Sequence, residues 1–198
     1  MKTLGRLFLA ILVLIVLAGG GVYVAAQQQP AIAQGLKAVP ASSAAAQSFD
    51  SKVDAMNKAD EAKRTGKAQS VEVSFTEEEL TTKASQAEAS QSADSAIKAK
   101  DTQIHLVGNQ IIATSIVTVS RLNVNLGVVV EPTVVNGQTQ FVVKQIQTGG
   151  LPLPDAIKQQ IKAQIGNAID PSKLGLPFDV SQLTIVDGKL VIKGTAKP

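Results

Sequence analysis

The pattern of apolar positions begins with one unbroken run and then changes to segments with helical or strand periodicity. The 20 residues from Leu7 to Ala26 contain no polar side chain except the phenol of Tyr23. A helix of that length rises about 30 Å, the hydrocarbon thickness of a bilayer. Lys2 and Arg6 precede the run, and no charge follows until Lys37. The positive-inside rule therefore predicts a single-pass cell-membrane protein with a cytoplasmic N-terminus and an extracytoplasmic remainder.

A cleaved signal peptide is the alternative interpretation of this N-terminus. The three glycines at 19–21 would end its apolar region, and Ala31-Ile32-Ala33 forms an A-x-A cleavage site before Gln34. The apolar run is longer than the roughly 7–15 residues of a signal peptide, which favours a retained anchor. In either case the rest of the chain is exported.

The segment after the apolar run lacks periodicity. Residues 27–48 are rich in Gln, Ala, Pro and Ser and carry one charge. A segment of this composition does not bury enough apolar surface to order itself, so it is predicted to be a flexible linker. The predicted organisation is then a cytoplasmic stub and anchor at 1–26, a linker at 27–48 and an extracytoplasmic domain at 49–198.

Helical periodicity of 3.6 residues recurs three times in that domain. The first predicted helix runs from Phe49 to Lys67 with Ser48 as its cap. The second begins with a capping box formed by Thr76 and Glu79 and continues to about residue 94. The third occupies 154–168, where Pro is at the first turn and Ile recurs at every fourth position.

Strand-like alternation occupies most of the remaining domain. Asn136-Gly137 is a strong hairpin signal between two of the strands, and Pro132 predicts a sheet edge or a bulge. With the helices, this order predicts an α+β fold, a curved antiparallel β-sheet packed against helices. The predicted strands cover 70–75, 102–107, 110–120, 122–130, 138–148 and a C-terminal hairpin around Asp187-Gly188.

Two of these strands are apolar on both faces. In 110–120, Ile112 and Ile116 alternate with other aliphatic residues, and in 138–147 Phe141 and Val143 are predicted to oppose Val142 and Ile146. Antiparallel sheets normally leave one face in water, so both faces here need a cover.

How the two faces of the sheet are covered determines whether the sheet can bind a ligand. Helices can bury both faces completely, or they can leave an aliphatic groove that suits an acyl chain. Lys158 and Lys162 on the third helix are candidate headgroup contacts, although a solvated helix face is the simpler explanation of their spacing. Candidate walls of the groove, chosen by periodicity, are Ile112, Ile116, Leu126, Val128, Phe141, Val143, Ile157 and Ile161.

Composition argues against most catalytic chemistry. The chain has no Cys and one His, which excludes disulfides, thiol nucleophiles and His-cluster metal sites. The net charge of +3 and the 3% aromatic content argue against nucleic-acid binding. Lys2 and Arg6 supply two of those charges, so the exported part is nearly neutral.

The remaining candidates for chemistry have simpler explanations. His105 is predicted to be structural or solvent-facing because no nucleophile motif accompanies it. Three consecutive glutamates at 77–79 fan apart on a helix and are better explained by capping than by metal binding. No catalytic residue, metal site or cofactor is predicted.

Three short motifs resemble known families. The sequences VEVSFTEEEL at 71–80, GGLPLP at 149–154 and LTIVDGKLVIKGTA at 183–196 are similar to those of the LmeA-like phospholipid-binding proteins and of the YpmS-like single-pass membrane proteins of bacteria. The resemblance covers about residues 70–198. It implies a domain of the bacterial cell envelope in which a curved sheet wraps helices and binds phospholipid, and it brings no catalytic residues.

The sequence thus favours a membrane-anchored, extracytoplasmic lipid-binding protein. The alternative is a structural or scaffolding envelope protein that binds another protein and has no ligand. An enzyme is not expected.

Overall fold

A computed structural model of the chain describes residues 28–63, 69–91, 97–119, 122–135, 138–149 and 179–196. Two α-helices, seven strands and a single 3₁₀ turn, Ala31–Ala33, lie in that part. The helices are α1 (Ser43–Lys63) and α2 (Glu77–Ala89). The strands are β1 (Gln69–Thr76), β2 (Ile97–Val107), β3 (Gln110–Val119), β4 (Leu122–Val135), β5 (Gln138–Thr148), β6 (Asp179–Val186) and β7 (Lys189–Ala196).

The predicted α+β class and antiparallel pairing are confirmed, but the described strands form two sheets. The large sheet is a meander in the order β2-β3-β4-β5. The small sheet has the order β1-β7-β6, so the strand before α2 pairs with the last strand of the chain. This long-range pairing carries no local turn signal, and alternation alone does not distinguish one sheet from two.

Helix α1 begins at Ser43, six residues before the predicted start. The Oγ of Ser42 accepts a hydrogen bond from the amide of Ala45 and so caps the first turn. Three consecutive alanines at 44–46 favour helix, and Ala45 and Ala46 are buried. The hydroxyl of Ser48, the predicted cap, instead donates to Glu79.

The capping box of α2 is confirmed. The amide of Glu79 donates to Thr76 Oγ1 over 3.2 Å, and the Glu79 carboxylate accepts from the amide of Thr76 over 2.9 Å. Lys52 of α1 adds an ion pair at 2.6 Å, so this one carboxylate ties α1 to the start of α2. Burial would raise the pKa of Glu79, but the hydrogen bonds from Lys52, Ser48 and Thr76 outweigh it and hold the pKa below its ordinary value.

Helix α2 covers the free edge of the large sheet. Among the described strands none pairs with this side of β2, and polar side chains on and just after α2 accept hydrogen bonds from its outward amides. This arrangement satisfies backbone groups that would otherwise be unpaired at a partly buried edge. The pairs are Glu77 with Leu106 (2.6 Å), Thr81 with Ile104 (2.9 Å), Glu88 with Thr102 (2.9 Å) and Gln91 with Ala99 (3.0 Å).

Both sheets and both helices contribute to one buried apolar cluster. Phe49 of α1 and Phe75 of β1 lie with their ring centroids 4.8 Å apart, beside the fully buried Met56 and Leu80. Strand β6 contacts β4 and β5, which joins the small sheet to the large one. The core is therefore shared between the sheets and belongs to neither alone.

Residues 28–42, here called the strap, differ from the predicted flexible linker. They lie across the large sheet, where the amide of Ile32 donates to Gln147 Oε1 (3.1 Å) and the amide of Val39 donates to Gln103 Oε1 (2.6 Å). The sequence indicated a free tether because the strap shows no apolar periodicity. It is held by hydrogen bonds to side chains of the sheet, which composition does not reveal.

Several predictions fall outside the described residues. These are the anchor at 7–26, the Asn136-Gly137 turn and the third helix at 154–168. Within the described part, no helix is long and apolar enough to span a bilayer.

Candidate lipid-binding interior

The face of the large sheet that joins the shared core, here called the inner face, is aliphatic along β4. Leu126, Val128 and Val130 point to this face and are all buried. Their partners on β3 are Ser115, Ala113 and Ile111. Each strand alternates as the sequence predicts, so the two strands together form a floor that is apolar except at Ser115.

A β-bulge changes the phase of β5. The pairing shifts between Val129 and Val130 of β4, which leaves Lys144 without a partner on that strand. Phe141, Val143 and Ile146 therefore all belong to the inner face. The prediction that Ile146 opposes Phe141 and Val143 is wrong, because a bulge adds one residue and reverses the alternation beyond it.

Half-buried apolar side chains border the buried floor. Val134, Phe141 and Val143 of the large sheet pack against the core cluster without being fully enclosed. Ile185 and Ile192 of the small sheet do the same. These five side chains form the aliphatic margin of the interior, and none carries a charge.

The opposite face of the large sheet, the outer face, holds the other two predicted wall residues. Ile112 is buried and Ile116 is half-buried, and they pair with Val129 and Asn125 of β4. The strap crosses this face. Periodicity assigned each residue to a face but did not identify which faces share an interior.

The predicted wall residues thus lie on two different faces of the large sheet. Leu126, Val128, Phe141 and Val143 come together on the inner face, and Ile112 and Ile116 lie behind them. The remaining candidates, Ile157, Ile161, Lys158 and Lys162, lie outside the described residues.

Polar side chains interrupt the inner face where β2 pairs with β3. A second bulge in β2 places Asp101 at φ 56° and turns Thr102 inward, where its hydroxyl donates to Ser115 Oγ over 3.0 Å. Ser115 in turn donates to the carbonyl of Lys100. Both side chains are buried and both hydroxyls are hydrogen-bonded, which is what burial of polar groups requires. Sequence reasoning missed this pair because a bulge leaves no clear signal in the pattern.

His105 is buried on the outer face, where it pairs with Ile112. Burial lowers its pKa below the ordinary value, and the negative charge of Glu77 opposes that shift. The imidazole is therefore neutral at neutral pH. In the described part of the chain, no three His, Asp or Glu side chains gather where they could hold a metal ion.

The fold and the interior define an α+β protein whose two antiparallel sheets share one aliphatic core. The family model described as LmeA-like phospholipid-binding matches residues 21–195, and the chain therefore belongs to that family. The match confirms the resemblance to LmeA-like proteins and supports phospholipid binding in general. The comparison with curated proteins yields no match.

Proposed function

We propose that this protein is a membrane-anchored, extracytoplasmic phospholipid-binding protein that holds an acyl chain in its interior. Family membership supports a phospholipid ligand. The observation that carries the finer proposal is the half-buried aliphatic margin around Phe141 and Val143, next to the buried floor of β4. The protein acts by binding and has no enzymatic step.

The chemistry of the interior suits an acyl chain. From Val124 to Val134, every inner-face residue of β4 is apolar. The charged side chains of the same region, Glu131 and Lys144, form an ion pair at 2.8 Å and are not part of the core cluster. An acyl chain needs dry dispersion contacts more than directed hydrogen bonds, and aliphatic walls provide them.

A retained anchor is the form of the N-terminus that this fold favours. Cleavage after Ala33 would remove Ile32, which lies directly over Gly127 and donates its amide to Gln147. Gly127 and Gln147 would then both lose their contact with Ile32. The apolar run from Leu7 to Ala26 supplies the membrane span in this proposal.

Photo-crosslinking tests the acyl-chain site. The full chain is reconstituted in lipid nanodiscs that contain a phosphatidylcholine with a diazirine at the end of one acyl chain, and the labelled peptides are mapped by mass spectrometry. We expect labels on β4 and β5 in addition to the anchor. Val143→Trp, which fills the aliphatic margin, should abolish the labels on the strands and leave those on the anchor.

Val142→Trp is the matched control. Val142 is the preceding residue on the same strand, points to the outer face and is 40% exposed, so the same added volume should leave the labelling unchanged. Labels confined to the anchor in the unmodified protein would overturn the acyl-chain site. That result would favour the alternative of a scaffolding protein without a ligand.

A further inference from the structure

The start of the strap is fastened to one particular end of the large sheet. The carbonyl of Gln28 accepts a hydrogen bond from Asn125 Nδ2 over 3.2 Å. Gly149 lies so close to that carbonyl that an added Cβ would overlap it. Gly149 also donates its amide to Asn125 over 2.9 Å, so the beginning of β4, the end of β5 and the strap meet at one point.

The next residues of the strap are seated on the same end. The side chain of Ile32 lies over Gly127, where a Cβ would come within 2.5 Å of Ile32 Cδ1 and 3.2 Å of Pro30 Cβ. Only glycine leaves this space on the outer face. The Ile32 amide is held by Gln147 over 3.1 Å. Contacts to Asn125, Gly127, Gln147 and Gly149 therefore fix the course of residues 28–32.

The predicted membrane span ends two residues before this fastened segment. Two residues reach at most about 7 Å, so the Asn125 end of the sheet cannot be far from the end of the span. A flexible linker of 22 residues at 27–48 would have left the domain free to tumble. The strap removes that freedom because its first fastened residue is Gln28.

We propose that the domain docks on the outer leaflet through the end of the large sheet that holds Asn123, Asn125 and Gly149. The partner is the headgroup layer of the bilayer. This inference rests on the membrane anchor of the proposed function. It adds a defined surface and orientation to it.

The opposite end of the sheet serves as an internal reference. The Gly108-Asn109 turn between β2 and β3 is exposed, and Thr118, the partner of Asn123, lies nine residues after Asn109 along β3. At about 3.4 Å per residue, the two asparagines lie about 30 Å apart along the strands. Because the chain has no Cys, one cysteine introduced at either place is the sole labelling site.

The test uses fluorescence quenching in the full chain. Asn123→Cys and Asn109→Cys are each labelled with bimane and reconstituted in nanodiscs, with or without a phosphatidylcholine that carries a nitroxide on its headgroup. We expect a several-fold larger loss of fluorescence at position 123 than at position 109. Equal quenching at both positions, or stronger quenching at 109, would overturn the docked orientation.

The strap contacts should determine how much more strongly the probe at position 123 is quenched than the probe at position 109. The double change Ile32→Ala and Gln147→Ala removes two strap contacts and should reduce quenching at position 123. The control variant is Gln145→Ala with Ile32 unchanged. Gln145 is exposed on the same face of β5 as Gln147, so this variant should leave the quenching at position 123 unchanged.

Failure of the anchor gives a different result from failure of the docking. If the full chain is released from nanodiscs by alkaline carbonate, the anchor and the docking are both wrong. If the chain resists carbonate and neither position is quenched preferentially, the anchor stands and the docking is wrong.

Discussion

Gly127 shows how an absent side chain determines the course of another segment. It lies in the middle of β4, where glycine is usually unfavourable because it contributes no packing. Here the missing Cβ leaves the space that Ile32 fills. The sequence shows a glycine within an aliphatic strand, and the reason for it lies 95 residues away in a segment without strand or helix periodicity.

A double-mutant cycle tests this packing. Gly127→Ala should destabilise the protein by about 1–3 kcal/mol because the new methyl group overpacks against Ile32. Ile32→Ala should cost about 0.5–3 kcal/mol through lost burial. In the double variant the smaller side chain makes room for the methyl group, so the loss should be less than the sum, as measured by urea unfolding. Strict additivity would show that the two residues do not touch.

The pKa of Glu79 predicts how stability depends on pH. Burial raises the folded-state pKa, but hydrogen bonds and the charge of Lys52 outweigh it and hold the pKa below 4.5, the ordinary value in the unfolded state. Between the folded-state pKa and 4.5, the unfolded state therefore binds more protons than the folded state. The stabilisation is complete above pH 4.5 and is lost as the pH falls through the folded pKa. Glu79→Gln should be less stable at neutral pH and should lose less stability on acidification, measured by urea unfolding across that range.

Glu72→Gln is the control for this pH dependence. Glu72 also forms an ion pair, at 3.2 Å with Lys193, but both side chains are largely exposed. Exposed pairs contribute little to stability, so this variant should follow the unmodified protein at every pH. If Glu72→Gln altered the profile as much as Glu79→Gln, the capping carboxylate would have no special role.

At the scale of elements, α2 acts as a substitute for a neighbouring strand. The hydroxyl of Thr81 accepts from the amide of Ile104 over 2.9 Å and donates to its carbonyl over 3.4 Å. Thr81 and Ile104 are both almost completely buried. The capping box at the start of α2 was predictable from local sequence, but the helix's contact with the edge of β2 depends on how the chain folds back.

Thr81→Val should therefore destabilise the protein, although valine has nearly the same shape as threonine. It leaves the buried amide and carbonyl of Ile104 unpaired, which costs about 1–3 kcal/mol. Thr81→Ser retains the hydroxyl and loses one methyl group, worth about 0.8 kcal/mol. Thermal and urea unfolding should rank the valine variant below the serine variant, whereas the reverse order would mean that methyl packing matters more than the hydrogen bonds.

At the scale of the whole molecule, the strap belongs to the folded domain. A chain that begins at Gln34, as cleavage at Ala31-Ile32-Ala33 would produce, lacks the segment seated on Gly127 and Gln147. We expect it to be less stable than a chain that begins at Gln28 by about 1–3 kcal/mol, because Ile32 is half-buried and complete burial of an isoleucine side chain is worth about 1.5–3 kcal/mol. Equal urea midpoints for the two chains would show that residues 28–33 add nothing to the fold.

The sequence by itself determined the local elements and the class of fold. Alternation identified β3 and β5, the Thr76–Glu79 pair identified the start of α2, and the apolar motifs identified the family, because each depends on residues that are near neighbours in the chain. Tertiary structure decided which faces share an interior. Two bulges, the pairing of β1 with β7 and the strap over the outer face all depend on contacts between distant residues. Such contacts leave no periodic signal, and they separate Ile112 and Ile116 from the interior that holds Val128 and Phe141.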